Sequence, residues 1–194
     1  MGVGGEWRNC WHIQSTVYNE IFKLYTIPKC NRVKPDVVLT EDTNSGYECY
    51  SHLFKDKCFS LGGKTYAATK VLDSSYRDKE LLVIVDGAAF GADIREFMRS
   101  ARRLEDKCSL YAPESFEYII LQSGIVSVDI KILDDTYDYA DSKEYSSWER
   151  FFTSYLVDIT RDTPLRYNKH KLNKNYLLQG NLNKIKAILP NIIE

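Results

Sequence analysis

The 194-residue sequence predicts an α/β fold: a mostly parallel sheet of four or slightly more strands, with helices on both faces and a C-terminal helical extension. Three observations carry this. Short apolar runs recur at Val37–Thr40, Lys57–Ser60, Leu81–Val85 and Cys108–Tyr111. Segments of helical apolar spacing separate them, which is the alternation that parallel strands and their crossovers require. Leu81–Val85 is apolar throughout, without the polar alternation of a half-exposed strand, and so reads as a strand buried on both faces.

The elements follow in order. Residues 1–35 form a lead-in in which Thr16–Tyr25 has helical spacing and Pro28 acts as a stop, while His12, between Trp11 and Ile13, reads as a packing residue. Residues 36–124 form the α/β core. After the strand Val37–Thr40 comes the turn Asn44–Gly46 and a helix over Ser45–Phe54. The strand Lys57–Ser60 leads through Gly62–Gly63 to a helix over Thr65–Leu72. Asp86–Gly91 is expected as a loop and Asp93–Leu104 as a helix with Ile94, Phe97, Met98 and Ala101 on one side. Pro113 opens a helix over Glu114–Gln122, with an acid close behind it as a helix N-terminus favours. Residues 125–194 are an extension: Ile125–Leu133 alternates and predicts an edge strand, and Asp134–Lys143 an acidic loop. Ser147 caps an amphipathic helix that packs through Trp148, Phe151, Phe152 and Tyr155, and Asn181–Leu189 is the last helix.

Composition narrows the class. With 44% hydrophobic and 27% charged residues, the chain is an ordinary globular one, and a net charge of −1 singles out no partner. No run of 18 apolar residues exists, so no membrane span is expected, and MGVGGEWRNC lacks the basic start and apolar stretch of a secretion signal. Glu6 stands where N-myristoylation wants Ser or Thr. Five scattered cysteines without CxxC spacing argue against zinc and fit a reducing cytoplasm. Charge is uneven: Ala112–Arg150 holds nine acids against three bases, and Arg161 onward seven bases against two acids.

Two chemistries compete for the middle of the chain. Gly63–Lys64–Thr65 after a strand suggests a P-loop, but the first glycine of GxxxxGK[ST] would fall on Cys58, inside a strand. The better reading is a carboxylate site for a hard cation, Mg²⁺ or Mn²⁺. Glu41, Asp86, Glu114 and Glu117 all fall at strand ends or just beyond, on the side where open α/β sheets bind ligands. Taken singly, each acid is explained by capping and helix dipoles; their joint placement is what points to a metal. Glu114 and Glu117, spaced i and i+3, repel unless a cation or proton lies between them.

The runs TEDTNSGYECYSHLF, SLGGKTYAATKVL, LLVIVDGAAFG and LYAPESFEYIIL together resemble a divergent Toprim domain, over about residues 36–122. The nearest variety is that of overcoming-lysogenization-defect nucleases and related bacterial defence proteins. The resemblance implies that Glu41 is a metal ligand or general acid/base, that Asp86 is a metal ligand, and that Gly62, Gly63 and Lys64 lie near the phosphate path. The family's second aspartate is replaced, since Asp86–Gly87–Ala88 stands where Asp-x-Asp is usual; Glu114 or Glu117 is the candidate substitute, ahead of Asp93.

The basic segment RYNKHKLNK offers Arg166 and Lys174 to a phosphate backbone, with Tyr167 and Tyr176 as candidates to stack on bases. Nucleases of this kind place a lysine near the scissile phosphate, and spacing does not decide between Lys169 and Lys171. The expectation is a Mg²⁺- or Mn²⁺-dependent nuclease acting on DNA or RNA, a bacterial or phage-defence effector. The alternatives are a non-catalytic module docking on an ATPase or other protein, and a nucleotide-binding phosphotransferase.

Overall fold

The computed structural model describes residues 34–104, 107–140 and 143–189. The helix expected over Thr16–Tyr25, and His12, lie outside them. In chain order the core runs β1 (Val37–Thr40), α1 (Ser45–Phe54), β2 (Cys58–Ser60), α2 (Ala67–Lys70), β3 (Leu81–Ile84), α3 (Gly87–Phe90), α4 (Ile94–Ala101), β4 (Cys108–Tyr111) and α5 (Phe116–Gln122). Beyond it lie α6 (Ile130–Asp134), α7 (Thr136–Tyr139), α8 (Trp148–Thr160) and α9 (Gln179–Ile188).

The strands form one sheet in the order β2-β1-β3-β4, and every pair is parallel. Val37 pairs with Leu81, and Leu81 with Cys108, so the central strands run in matched register. Alternation divides their side chains between two cores. Val37, Leu39, Leu81, Val83, Val85 and Leu110 point to one face, covered by α2 and α4 through Ala67, Val71, Phe97 and Ala101. Val38, Leu82 and Ile84 point to the other, where α1 and α5 bring Cys49, Tyr50, Phe116, Ile119 and Ile120. Phe151, Phe152, Leu156, Tyr167, Tyr176 and Ile185 of the C-terminal part join that second core.

Several local expectations change. Ile125–Leu133 forms no strand: Asp129 accepts a hydrogen bond from the Lys131 N–H at 3.1 Å and so caps α6, which overrides the alternating pattern. Gly124, at φ 68°, ends the preceding helix in the left-handed conformation that favours glycine. The acidic loop contains the short helix α7, begun where the Thr136 hydroxyl bonds the Ile132 carbonyl at 2.9 Å. GAAF is helical rather than a loop, because its amides find acceptors: the Gly87 N–H donates to the Pro113 carbonyl at 2.6 Å and the Ala88 N–H to that of Glu114 at 3.1 Å. A Cβ at Gly87 would lie 2.7 Å from the Ala112 carbonyl oxygen, so this approach requires glycine. Ser147 does cap α8, accepting from the Arg150 N–H, but Trp148 is 41% exposed instead of packed.

Candidate functional site

The strand order locates the site before any side chain is considered. From β1 the chain moves outward to β2, and it returns to β3 on the other side of β1 before moving outward again to β4. The reversal lies between β1 and β3, the switch point at whose carboxyl ends open α/β sheets place ligands. Glu41 follows β1 directly and Asp86 follows β3 after Val85. The Glu41 N–H donates to the Ile84 carbonyl at 2.8 Å, and the Asp86 N–H donates to Glu41 Oε2 at 3.1 Å, so the first acid bridges the gap to the second.

A cleft of about 210 Å³ opens here, lined by Glu41, Asp42, Thr43, Gly62, Gly63, Asp86, Phe116, Glu117, Glu149 and Lys169. Burial holds the Glu41 carboxyl above its ordinary range; the Asp86 N–H and the Lys64 ammonium pull against that, and Glu149 and Asp42 add to it. Asp86 is held well above its range by burial and then by the charges of Glu117, Glu41, Glu149 and Asp42. No hydrogen-bond donor among the described residues reaches its carboxylate.

Glu117 sits in the first turn of α5, only 2% exposed. Its Oε1 accepts from the Tyr167 hydroxyl at 2.9 Å, and that hydroxyl lies 2.8 Å from the Ser45 hydroxyl. With the tyrosine proton committed to Glu117, Ser45 donates to Tyr167, giving a buried chain from α1 through the C-terminal segment to α5. Burial and the Glu117 charge push the Tyr167 phenol well above its usual range, which keeps it a donor. Glu117 Oε2 has no donor among the described residues and faces the cleft.

The cleft's one basic lining residue is Lys169, ion-paired with Glu149 in the first turn of α8. Burial works to lower this ammonium, but the bond to Glu149 and the charges of Glu117, Glu149 and Asp86 outweigh it and hold it above its usual range. The loop carrying Lys169 is pinned to α1: the Ser45 N–H donates to the Lys169 carbonyl at 3.3 Å and the Leu172 N–H to Glu48 Oε2 at 2.6 Å.

The expected residues thus divide. Glu41, Asp86, Glu117, Gly62, Gly63 and Lys169 line one cleft. Glu114 does not: α5 starts at Phe116 with Ser115 as its cap, so Glu114 lies outside the helix and shares no helical face with Glu117. Lys64 does not line it either; its ammonium donates to the Ala89 carbonyl at 2.8 Å, tying the glycine turn to α3. Arg166, Lys171 and Lys174 are exposed outside the cleft. Tyr167 and Tyr176 are 2% and 0% exposed, so neither can stack on a base; Tyr176 donates to the Leu165 carbonyl at 2.6 Å. Asp42 lines the cleft but its oxygens accept from the Asn44 and Gly46 N–H groups at 2.7 and 2.9 Å, capping α1.

Glu149, Tyr167 and Ser45 are functional candidates that sequence reasoning missed. The signals available were weak: Ser147 as a cap put Glu149 in a first turn, and a tyrosine buried in a core needs a hydroxyl partner.

The donor set is chemically suited to a hard divalent cation: carboxylate oxygens, two of them without protein donors. As the side chains stand, however, no three His, Cys, Asp or Glu groups among the described residues converge closely enough to hold one. No described helix is long and apolar enough to cross a membrane. No protein family, curated protein or solved structure matches this chain.

Proposed function

We propose that this chain is a cytoplasmic, divalent-cation-dependent enzyme that cleaves phosphodiester bonds in DNA or RNA, with a Toprim-like core. The observation that carries the reading is the gathering of Glu41, Asp86 and Glu117 at the sheet's switch point beside one lysine. So acidic a cleft repels a phosphodiester unless a cation offsets its charge, and a nucleic acid supplies the anion that such a cation would then bind. Mg²⁺ or Mn²⁺ held by Glu41, Asp86 and Glu117 would polarise the phosphoryl oxygens and lower the barrier to attack by water. Within the chain, Tyr167 orients Glu117, the Asp86 N–H orients Glu41, and Lys169 brings positive charge to the scissile phosphate. Arg166, Lys171 and Lys174, exposed on the same segment as Lys169, hold the flanking backbone without reading sequence.

The test is cleavage of plasmid, single-stranded DNA and RNA with Mg²⁺ or Mn²⁺. Glu41→Gln is expected to lose about a hundredfold or more, the scale of a removed acid/base or ligand group. Wild type and Glu41→Gln equally inactive on all three substrates would remove the enzyme reading.

A second reading, a non-catalytic module that docks on an ATPase or other protein, is favoured by two observations. Ala88 stands where the second aspartate is usual, and Trp148 is 41% exposed next to Glu149. The phosphotransferase reading has less support, because Gly62 and Gly63 border an acidic cleft that disfavours a bare nucleotide anion.

A further inference from the structure

Lys169 occupies an unusual place. Five acids line the cleft against this one base, and the acids are not equally engaged. Asp42 is committed to two amides of α1, Glu41 Oε2 to the Asp86 N–H, and Glu117 Oε1 to Tyr167. The Asp86 carboxylate and Glu117 Oε2 have no protein donor among the described residues, although Glu117 is 98% buried by its 2% exposure. The positive charge nearest to satisfying them is the Lys169 ammonium, bonded to Glu149 and attracted by Glu117 and Asp86 as well. Its loop is fixed by Ser45 and Glu48, so the ammonium is delivered to the cleft by the fold rather than by chance of a surface rotamer.

We propose that Lys169 is the cleft's internal counter-ion and that it competes with the divalent cation for the same carboxylates. The inference rests on the cation reading above and adds regulation to it. With Lys169 paired to Glu149, the acids stand too far apart to hold an ion. When an ion enters, Glu149 is freed from the lysine, and the displaced ammonium, on a side chain 36% exposed, turns to the mouth of the cleft where an anionic backbone would lie. Cation and anionic substrate therefore favour each other's binding: the ion releases the lysine, and the phosphate gives it a new partner.

The experiment measures Mn²⁺ affinity of the full chain by calorimetry and by the magnetic resonance signal of free Mn²⁺, without substrate. Lys169→Met is expected to bind Mn²⁺ about tenfold more tightly than wild type, the scale on which one neighbouring unit charge biases a carboxylate. Lys169→Gln, neutral but able to hydrogen-bond Glu149, is expected to do the same, and Lys169→Arg to stay near wild type. Mn²⁺ should also raise the melting temperature of Lys169→Met more than that of wild type. Equal affinity in wild type, Lys169→Met and Lys169→Gln overturns the counter-ion while leaving the proposed enzyme standing. Absence of Mn²⁺ binding from every variant overturns both.

Discussion

The two faces of the sheet are built by different means. The face under α2 and α4 is closed by segments that directly follow β2 and β3, and its buried cluster is apolar throughout, from Val37 and Leu39 to Phe90 and Phe97. Those two rings meet edge to face, their centroids 5.7 Å apart. The opposite face is closed partly by α1 and α5 and partly by chain that returns from far along the sequence, and there polar groups are buried too. Ser45, Glu117 and Thr160 are nearly inaccessible, yet each is paired: Thr160 accepts from the Tyr167 N–H at 2.9 Å. The first face is needed for stability alone. The second couples stability to the site, because α8 and the loop after it carry Glu149, Tyr167 and Lys169 into the cleft.

The sharpest way to break this comparison is to excavate both faces equally. Phe97→Ala and Phe152→Ala, both at fully buried positions, should each cost about 3–5 kcal/mol in urea unfolding. Only Phe152→Ala should also weaken Mn²⁺ binding by the folded protein, since α8 positions Glu149. A similar loss of affinity in Phe97→Ala would show that the faces are not functionally distinct.

A smaller effect tests the polar chain itself. Tyr167→Phe removes one hydroxyl but leaves Ser45 and Glu117 buried without their partner, which should cost about 1–3 kcal/mol. Thermal unfolding checks this, and a change below about 0.5 kcal/mol would mean that water replaces the hydroxyl.

The smallest effect has the opposite sign. Burial and neighbouring acids raise Asp86, so the folded chain binds this proton more tightly than the unfolded chain does. The stability associated with its protonation is present below about pH 4, the ordinary carboxylate value, and is lost as pH rises through the folded-state value. Asp86→Asn should therefore stabilise by ~1 kcal/mol at pH 7, with the gain shrinking to nothing in acid, while cleavage is abolished. Urea titrations at a series of pH values would reveal a pH-independent gain if packing rather than charge were responsible.

The parallel sheet was legible because its evidence is local. β1, β3 and β4 are runs whose apolar character marks strands buried on both faces, and α1 and α8 carry helical spacing with recognisable starts. Errors fell where a single polar side chain outweighed a pattern. Asp129 converts an alternating stretch into α6, and Ser115 sets the start of α5 beyond Glu114.

At the site, the acids after β1 and β3 were visible for the same reason as the strands: a hydrophobic run that ends in a carboxylate shows both the strand and its end. That much the amino-acid sequence determined alone, together with the choice of a carboxylate cleft over a P-loop. Which lysine enters the cleft, that Glu149 meets it, and that Tyr167 is a buried link instead of a stacking surface were decided only by the tertiary structure. Periodicity reports which residues leave water, whereas polar pairing depends on which surfaces dock. The Ser45–Tyr167 and Glu117–Tyr167 bonds join residues 122 and 50 positions apart, a separation over which no local pattern carries information.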